Sequence, residues 1–395
     1  MKIAARLKAV KPSPTFAMAA EAAALRQQGR DIVDLSVGEP DFDTPEHVKA
    51  AARDAMARGL TKYTPIGGLD VLKDAIVEKL RRDNALAYSR AEVMASCGGK
   101  HALYTAFLAL FDEGDEVVLP APYWVSYPDM LVLAGAVPRV VETTAAAGFK
   151  MSAAQLEQAI GPRTVAVILN SPNNPTGAQY GAEELRALGE VALRGGLIVI
   201  TDDIYERLTA TPVPHLGTLV PALRPDLVVV NSVSKSYAMT GWRIGYTAAP
   251  AELIRAMTVL QSQSTTNPTS IAQAAAAAAL TGPQDSVDTM AREFTQRLAL
   301  MVDGLAAIPG LCTPRPQGAF YIFPDASAFF GRRGPDGRIA TAADLAMYLL
   351  RHVGVATVPG EGFGAPAHIR LSYAASRTVL EDGLVRLGRA LAALD

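Results

Sequence analysis

Between about residue 46 and residue 290, short apolar runs alternate with stretches of helical periodicity. Four of the runs carry no polar position at all: Val117-Val118-Leu119, Val165-Ala166-Val167-Ile168-Leu169, Leu197-Ile198-Val199-Ile200 and Leu227-Val228-Val229-Val230. A strand with one face in water alternates apolar with polar residues, whereas a strand covered on both faces has no such need. The pattern therefore predicts βαβ units and an α/β fold, with a mostly parallel sheet flanked by helices. Beyond residue 290 the rhythm changes: a helical pattern at 291–305 precedes candidate strands at 319–323 and 368–372, which bracket a helix at 343–352. With the N-terminal segment, these elements predict a smaller α+β unit. A chain of 395 residues exceeds what one hydrophobic core usually organises. We expect a large domain at 46–290 and a small one built from 1–45 and 291–395.

In open α/β sheets, ligands bind outside the carboxyl ends of the strands, so the residues that follow each apolar run carry the information. The second run leads into Asn170-Ser171-Pro172-Asn173-Asn174-Pro175-Thr176-Gly177, a rigid turn with amide donors. The third leads into Thr201-Asp202-Asp203-Ile204-Tyr205, which brings a carboxylate and a phenol. The fourth leads into Asn231-Ser232-Val233-Ser234-Lys235, with two hydroxyls and an amine. Separately, Cys97-Gly98-Gly99-Lys100 feeds an apolar helix pattern at 102–111. A glycine turn at a helix N-terminus offers free amides and the positive end of the dipole, which can hold a phosphate. Lys100 opposes that dipole by about 0.3–1 kcal/mol, which an anion nearby would offset.

Composition narrows the partners. The 37 basic and 39 acidic residues, giving a net charge of −2, are scattered without long runs, so nothing marks a nucleic-acid or anionic-membrane surface. A small molecule is the expected partner. Two cysteines cannot form a disulfide framework, and the five histidines show no metal-ligand spacing, so no metal is expected. The N-terminal residues Lys2, Arg6, Lys8 and Lys11 interrupt any signal-peptide core, and a reducing cytoplasm is expected. The most apolar stretch elsewhere, 271–280, is far short of the roughly 20 residues that a bilayer demands. It reads as a buried helix.

Taken singly, a polar residue after a strand is more often a turn former than a catalyst. Gly98-Gly99-Lys100 lacks the spacing of a P-loop, and Gly360-Glu361-Gly362-Phe363-Gly364 has no helix following it, so it reads as structural. Ser232-Val233-Ser234-Lys235 formally fits the SxxK pattern of penicillin-recognising hydrolases, but the accompanying SDN and KTG elements are absent. Lys235 stands apart because hydroxyls, glycines and Arg243 crowd around it between residues 231 and 246.

The whole segment Ser232-Val233-Ser234-Lys235-Ser236-Tyr237-Ala238-Met239-Thr240-Gly241-Trp242-Arg243-Ile244-Gly245 resembles the cofactor-lysine signature of class I aminotransferases of fold type I. Asn174-Pro175-Thr176-Gly177, Asp202 with Tyr205, Lys62-Tyr63-Thr64-Pro65, Ser36-Val37-Gly38-Glu39-Pro40 and Ile369-Arg370-Leu371-Ser372 match the same family in order. The resemblance covers essentially the whole chain and is greatest to the bacterial aspartate aminotransferase branch.

That resemblance implies pyridoxal phosphate as cofactor, tethered through its aldehyde to Lys235. It implies that Asp202 pairs with the protonated pyridine nitrogen, and that Tyr205 and Asn174 bond the ring's 3′ oxygen. The amides at Gly99 and Lys100, together with Ser232, Ser234 and Arg243, would hold the phosphate. Trp124 would lie beside ring and substrate. Arg370 would clamp the substrate α-carboxylate, and Gly38 would close over it. Tyr63 would reach the phosphate of a neighbouring subunit, which implies a homodimer with shared sites. Asp203, where many relatives carry Glu, is a departure expected to matter little.

For substrate, the resemblance implies small amino and keto acids, with Lys100 reading the second carboxylate of aspartate and 2-oxoglutarate. The segment Lys11-Pro12-Ser13-Pro14-Thr15 is also similar to relatives that accept prephenate, with Thr15 near the substrate. Transamination of aromatic or other amino acids, and β-lyase chemistry on the same scaffold, are the alternatives. A cofactor-sensing regulator would carry a basic DNA-binding module ahead of these elements, and none is expected.

Overall fold

The computed structural model describes residues 1–10 and 14–395, the side chains of residues 14–16 excepted. The four continuous apolar runs form strands that are covered on both faces. They fall on β2 (Glu116–Ala121), β4 (Thr164–Asn170), β5 (Ile198–Asp202) and β6 (Leu227–Ser232), with only Leu197 lying just before its strand. Three further strands complete the sheet: β1 (Val93–Ser96), β3 (Val137–Glu142) and β7 (Gly245–Ala248). The order is β1-β7-β6-β5-β4-β2-β3. Only β7 runs antiparallel to its neighbours, and the remaining pairs are parallel.

The three additional strands lack a continuous apolar signal for identifiable reasons. β3 is an edge strand and carries Arg139 and Glu142, with three of its six residues exposed. β1 and β7 are four residues each, too short for a period to emerge. Two apolar clusters sandwich the sheet. Val118, Val167, Val199 and Val229 point into one; Val117, Ala166, Ile168, Ile200 and Val228 point into the other. This is the strand period of two expressed in a sheet buried on both faces. Each fully buried aliphatic side chain contributes about 1.5–3 kcal/mol.

The helices include α1 (Asp70–Asn84), α2 (Gly99–Leu110), α3 (Ser126–Leu133), α4 (Ser270–Thr281), α5 (Asp285–Ala306) and α6 (Ala342–Val353). The helical patterns expected at 102–111, 271–280, 291–305 and 343–352 fall on α2, α4, α5 and α6, with Phe111 one residue past the end of α2. α5 starts six residues before the expected 291, with Asp285 and Asp288 in its first turn, where negative charge suits the dipole. A separate three-stranded antiparallel sheet contains β8 (Tyr321–Ile322), β9 (Val358–Pro359) and β10 (Ile369–Ser372), in the order β9-β10-β8. Only two residues of the expected strand at 319–323 pair. Ala319 itself is left-handed, with φ 59°. Around this sheet a third cluster gathers Leu35, Phe294, Phe320, Leu349 and Leu387. Val33 and Asp34 pair in parallel with Val355 and Ala356, tying the N-terminal segment to it.

A buried polar network braces the carboxyl edge of the main sheet. Lys79 on α1 donates to Glu206 and, at 2.7 Å, to Asn84. Asn84 Nδ2 and Asn231 Nδ2 donate to the same Glu206 carboxylate at 2.6 and 2.7 Å. Ser232 N in turn donates to Asn231 Oδ1 at 2.7 Å. The loops after β5 and β6 are thereby tied to each other and to α1. Among the described residues, no helix is long and apolar enough to cross a membrane and no cluster of His, Cys, Asp or Glu suits a metal ion. Cys97 and Cys312 are free thiols.

Candidate active site

Register in the sheet creates the site. Asn170 and Asp202 are direct neighbours at the ends of β4 and β5, and Asp202 faces Val230 of β6, five residues before Lys235. The loops beyond these ends, the start of α2 and the Ser36–Gly38 segment enclose a cavity of about 540 Å³. Of the residues expected to act together, Gly38, Gly99, Lys100, Trp124, Asn174, Asp202, Tyr205, Ser234, Lys235, Arg243 and Arg370 all line it.

Two expected residues, Ser232 and Tyr63, do not. Ser232 lies beneath the cavity, its Oγ accepting from Ser234 N at 3.1 Å, so it reaches the site through Ser234. Tyr63 stands away from the cavity, 90% exposed. Thr15 lies outside the residues whose side chains are described. A larger cleft of about 760 Å³ opens beside Arg82 and Arg207, but both arginines already pair with carboxylates, Asp83 and Asp288 among them.

Lys235 extends its amine toward Gly38, donating to its carbonyl oxygen. Burial pulls its pKa down to about 8; Arg370 and Arg243 push the same way, against the attraction of Glu39 and Asp202. The turn that follows is strained, with Ala238 and Arg243 both left-handed at φ 49° and 59°. Such strain costs about 1–3 kcal/mol per residue and concentrates at functional sites. Here Arg243 turns back toward Gly98, Nη1 donating to Thr240 O at 2.6 Å.

The start of α2 depends on two glycines. Gly98 has φ 88°, and a Cβ there would collide with the Arg243 guanidinium. Gly245 on β7 is packed so closely that its Cβ would meet the backbone of Gly98 and Gly99. Backbone amides, an arginine fork and Ser234 thus converge at one end of the cavity, an arrangement suited to a phosphate.

Asp202 occupies the opposite role. It is 6% exposed, and no described cation lies within ion-pair distance of it. Burial raises its pKa to about 6, with a hydrogen bond from Tyr127 opposing. A buried carboxylate without a cation is costly unless a ligand supplies one, and a protonated ring nitrogen is such a ligand. Asn170 orients the adjoining turn: its Nδ2 donates to Asp202 O at 2.8 Å and its Oδ1 accepts from Asn174 N at 2.9 Å.

Arg370 on β10 is buried at 2% exposure. Its Nη1 donates to Asn174 Oδ1 at 3.0 Å and its Nη2 to Ser36 O at 2.8 Å, while Nε has no partner. Its guanidinium lies 4.5 Å from the centre of the Tyr321 ring. Lys100 stands across the cavity, its ammonium 4.9 Å from the Trp124 ring centre. The set therefore combines an amine of lowered pKa, an anion cradle, a buried carboxylate and two cations, a pattern that fits an aldehyde-bearing, phosphorylated pyridine together with a dicarboxylic acid.

The profile described as aminotransferase class I and II matches residues 30–387. The chain belongs to this family. It is 51% identical to an aspartate aminotransferase of Geobacillus stearothermophilus over 98% of both chains. It is 47% identical to an aspartate/prephenate aminotransferase of Cereibacter sphaeroides over 96% of both. Among solved structures, the aspartate aminotransferase of Rhizobium meliloti superimposes with a TM-score of 0.96 at 45% identity, covering all of both chains. The mostly parallel sheet expected from the sequence is thus the fold of an aminotransferase.

Three lining residues of this aminotransferase escaped sequence reasoning. Tyr127 donates to Asp202 Oδ2 at 2.6 Å, Tyr321 OH lies 3.0 Å from Tyr205 OH, and Asn170 positions Asn174. Asn170 was detectable as the last residue of a strand. The two tyrosines sit in a helix and a short strand where nothing local marks them. Asp203 is less idle than its position implies, because it is buried and accepts from His215 Nε2 at 3.0 Å and Thr201 Oγ1 at 3.1 Å.

Proposed function

We propose that this chain transfers the amino group of L-aspartate to 2-oxoglutarate, with pyridoxal phosphate carried on Lys235. The observation that carries the reading is the buried Arg370, which has no acidic partner within ion-pair distance among the described residues and an unbonded Nε, in the same cavity as Lys235, Asp202 and Lys100. The full-length likeness to aspartate aminotransferases supports the same substrate.

Within this reading each residue has a defined task. Arg370 receives the α-carboxylate and fixes the substrate's Cα–H bond relative to Lys235. Lys235, with a pKa near 8, exchanges a proton through Nζ without a large free-energy mismatch at neutral pH. Asp202 holds a negative charge at the pyridine nitrogen, and Asn174 and Tyr205 present polar groups to the ring oxygen. Gly99, Lys100, Ser234 and Arg243, with Ser232 behind them, hold the phosphate, and Trp124 excludes water beside the ring. When bound, the cofactor supplies an electron sink for the pair released at Cα. Lys100 is the group nearest to hand for the second carboxylate.

Residues 46–290 would form the cofactor-holding domain, with 1–45 and 291–395 closing over substrate through Gly38. The exposed Tyr63 would serve the site of a second copy, making the working unit a homodimer. Prephenate is a further acceptor under this reading, because relatives named for both substrates are 44–47% identical to the chain.

The test is the visible spectrum of the purified protein during addition of L-aspartate, followed by 2-oxoglutarate or prephenate. The cofactor band should fall with aspartate and return with the accepted keto acid. No band, together with full activity in Lys235→Ala, would refute the mechanism; a band indifferent to aspartate would refute the substrate.

A further inference from the structure

Two aromatic residues from one short stretch line the cavity: Trp124, in the loop between β2 and α3, and Tyr127, in the first turn of α3. Tyr127, three residues after Trp124, sets its ring edge-on to Trp124 at 5.3 Å between centroids. Tyr127 is 1% exposed. Its hydroxyl donates to Asp202 Oδ2 at 2.6 Å, a length typical of an O–H bound to an ionised oxygen. The other carboxylate oxygen, Oδ1, accepts from Ile204 N at 3.3 Å.

Asp202 has much to overcome. Burial and the neighbouring Asp203 both favour its neutral form, and the Tyr127 hydrogen bond is the leading influence against them. Lys235 attracts it from a distance, and Tyr205 stands in the same cavity. A neutral Asp202 would lose the charge that keeps a ring nitrogen protonated.

We propose that Tyr127 is a positioning residue for the cofactor's pyridine nitrogen, its phenol holding Asp202 anionic and aimed into the cavity. The inference rests on the cofactor reading above. It makes one short stretch, residues 124–127, responsible for two features of the ring environment, its face through Trp124 and its nitrogen through Tyr127 and Asp202. Tyr127 acts through Asp202 and touches no reacting atom in this account.

The experiment loads wild type, Tyr127→Phe and Tyr127→His with pyridoxal phosphate labelled with ¹⁵N in the ring, and records the nitrogen resonance and the cofactor dissociation constant. Phe keeps the packing against Trp124 and removes the donor; His restores an N–H donor on a smaller ring. In Tyr127→Phe the resonance should move toward the unprotonated position and the dissociation constant rise roughly ten-fold or more, the scale of one hydrogen bond to a charged group. Tyr127→His should recover both in part. A purely structural Tyr127 would lower the melting temperature and leave the resonance in place, which overturns the proposal, as does a His variant indistinguishable from Phe. A wild-type protein that takes up no cofactor overturns the reading beneath it, a result distinct from a loaded wild type matched by its Phe variant.

Discussion

Arg370 Nη1 lies 3.0 Å from Asn174 Oδ1, so a residue from the small antiparallel sheet and one from the loop after β4 of the main sheet meet inside the cavity. The contact fixes the plane of the guanidinium and joins the two sheets at the point where substrate is expected. A lysine at 370 would keep the charge but lose the fork, the Asn174 bond and the stacking on Tyr321. Arg370→Lys should reduce kcat/KM for aspartate roughly hundred-fold, measured by steady-state kinetics. An effect below three-fold would remove Arg370 from carboxylate recognition.

The lowered pKa of Lys235 sets a pH dependence for cofactor capture. Only the neutral amine attacks an aldehyde, so the rate of covalent capture by the cofactor-free protein should rise about ten-fold per pH unit below 8 and level off above it. Stopped-flow absorbance reads this directly. A plateau reached only near the ordinary lysine value would contradict the burial effect.

The same shift carries a stability consequence. The unfolded chain keeps this proton up to its ordinary value of 10.5, whereas the folded protein releases it near 8. Between those values the unfolded state binds more protons, so stability rises with pH across that window; below 8 the cost of burying the charge is fully present. Cofactor-free Lys235→Met should therefore melt above wild type at pH 7, and the gap should shrink from pH 8 to 10.5 in a calorimetric series.

Lys100 faces the cavity from the first turn of α2, where its charge opposes the helix dipole. Truncation to alanine should raise KM for aspartate and 2-oxoglutarate about ten-fold or more, while alanine and phenylalanine change far less. Equal changes for all four substrates would assign Lys100 to the cofactor phosphate alone.

Gly245 has no room for a side chain against Gly98 and Gly99. Because the obstruction is backbone, Gly245→Ala must displace the start of α2, at a cost of about 1–3 kcal/mol. The anion cradle moves with it, so the cofactor dissociation constant should rise together with a lower melting temperature. Loss of stability with unaltered cofactor affinity would separate Gly245 from the phosphate site.

The sequence by itself determined the central sheet, because a strand buried on both faces is apolar along its middle, and β2, β4, β5 and β6 each carry such a run. It also placed part of the cavity's lining, since a parallel sheet delivers the residues after its strands to one edge: Asn174, Asp202, Tyr205 and Lys235 follow apolar runs and line one cavity. The edge strand β3 and the short β1 and β7 left no such trace, their pairing being fixed by neighbours and not by their own pattern. Tertiary structure alone decided that Tyr127 reaches Asp202 from a helix 75 residues earlier in the chain, and that Tyr321 meets Tyr205 across 116. It decided equally that Gly245 presses on Gly98. A tyrosine in a helix or a glycine in a strand has no local requirement that reveals its partner; contacts of that kind exist only once distant segments are packed at one sheet edge.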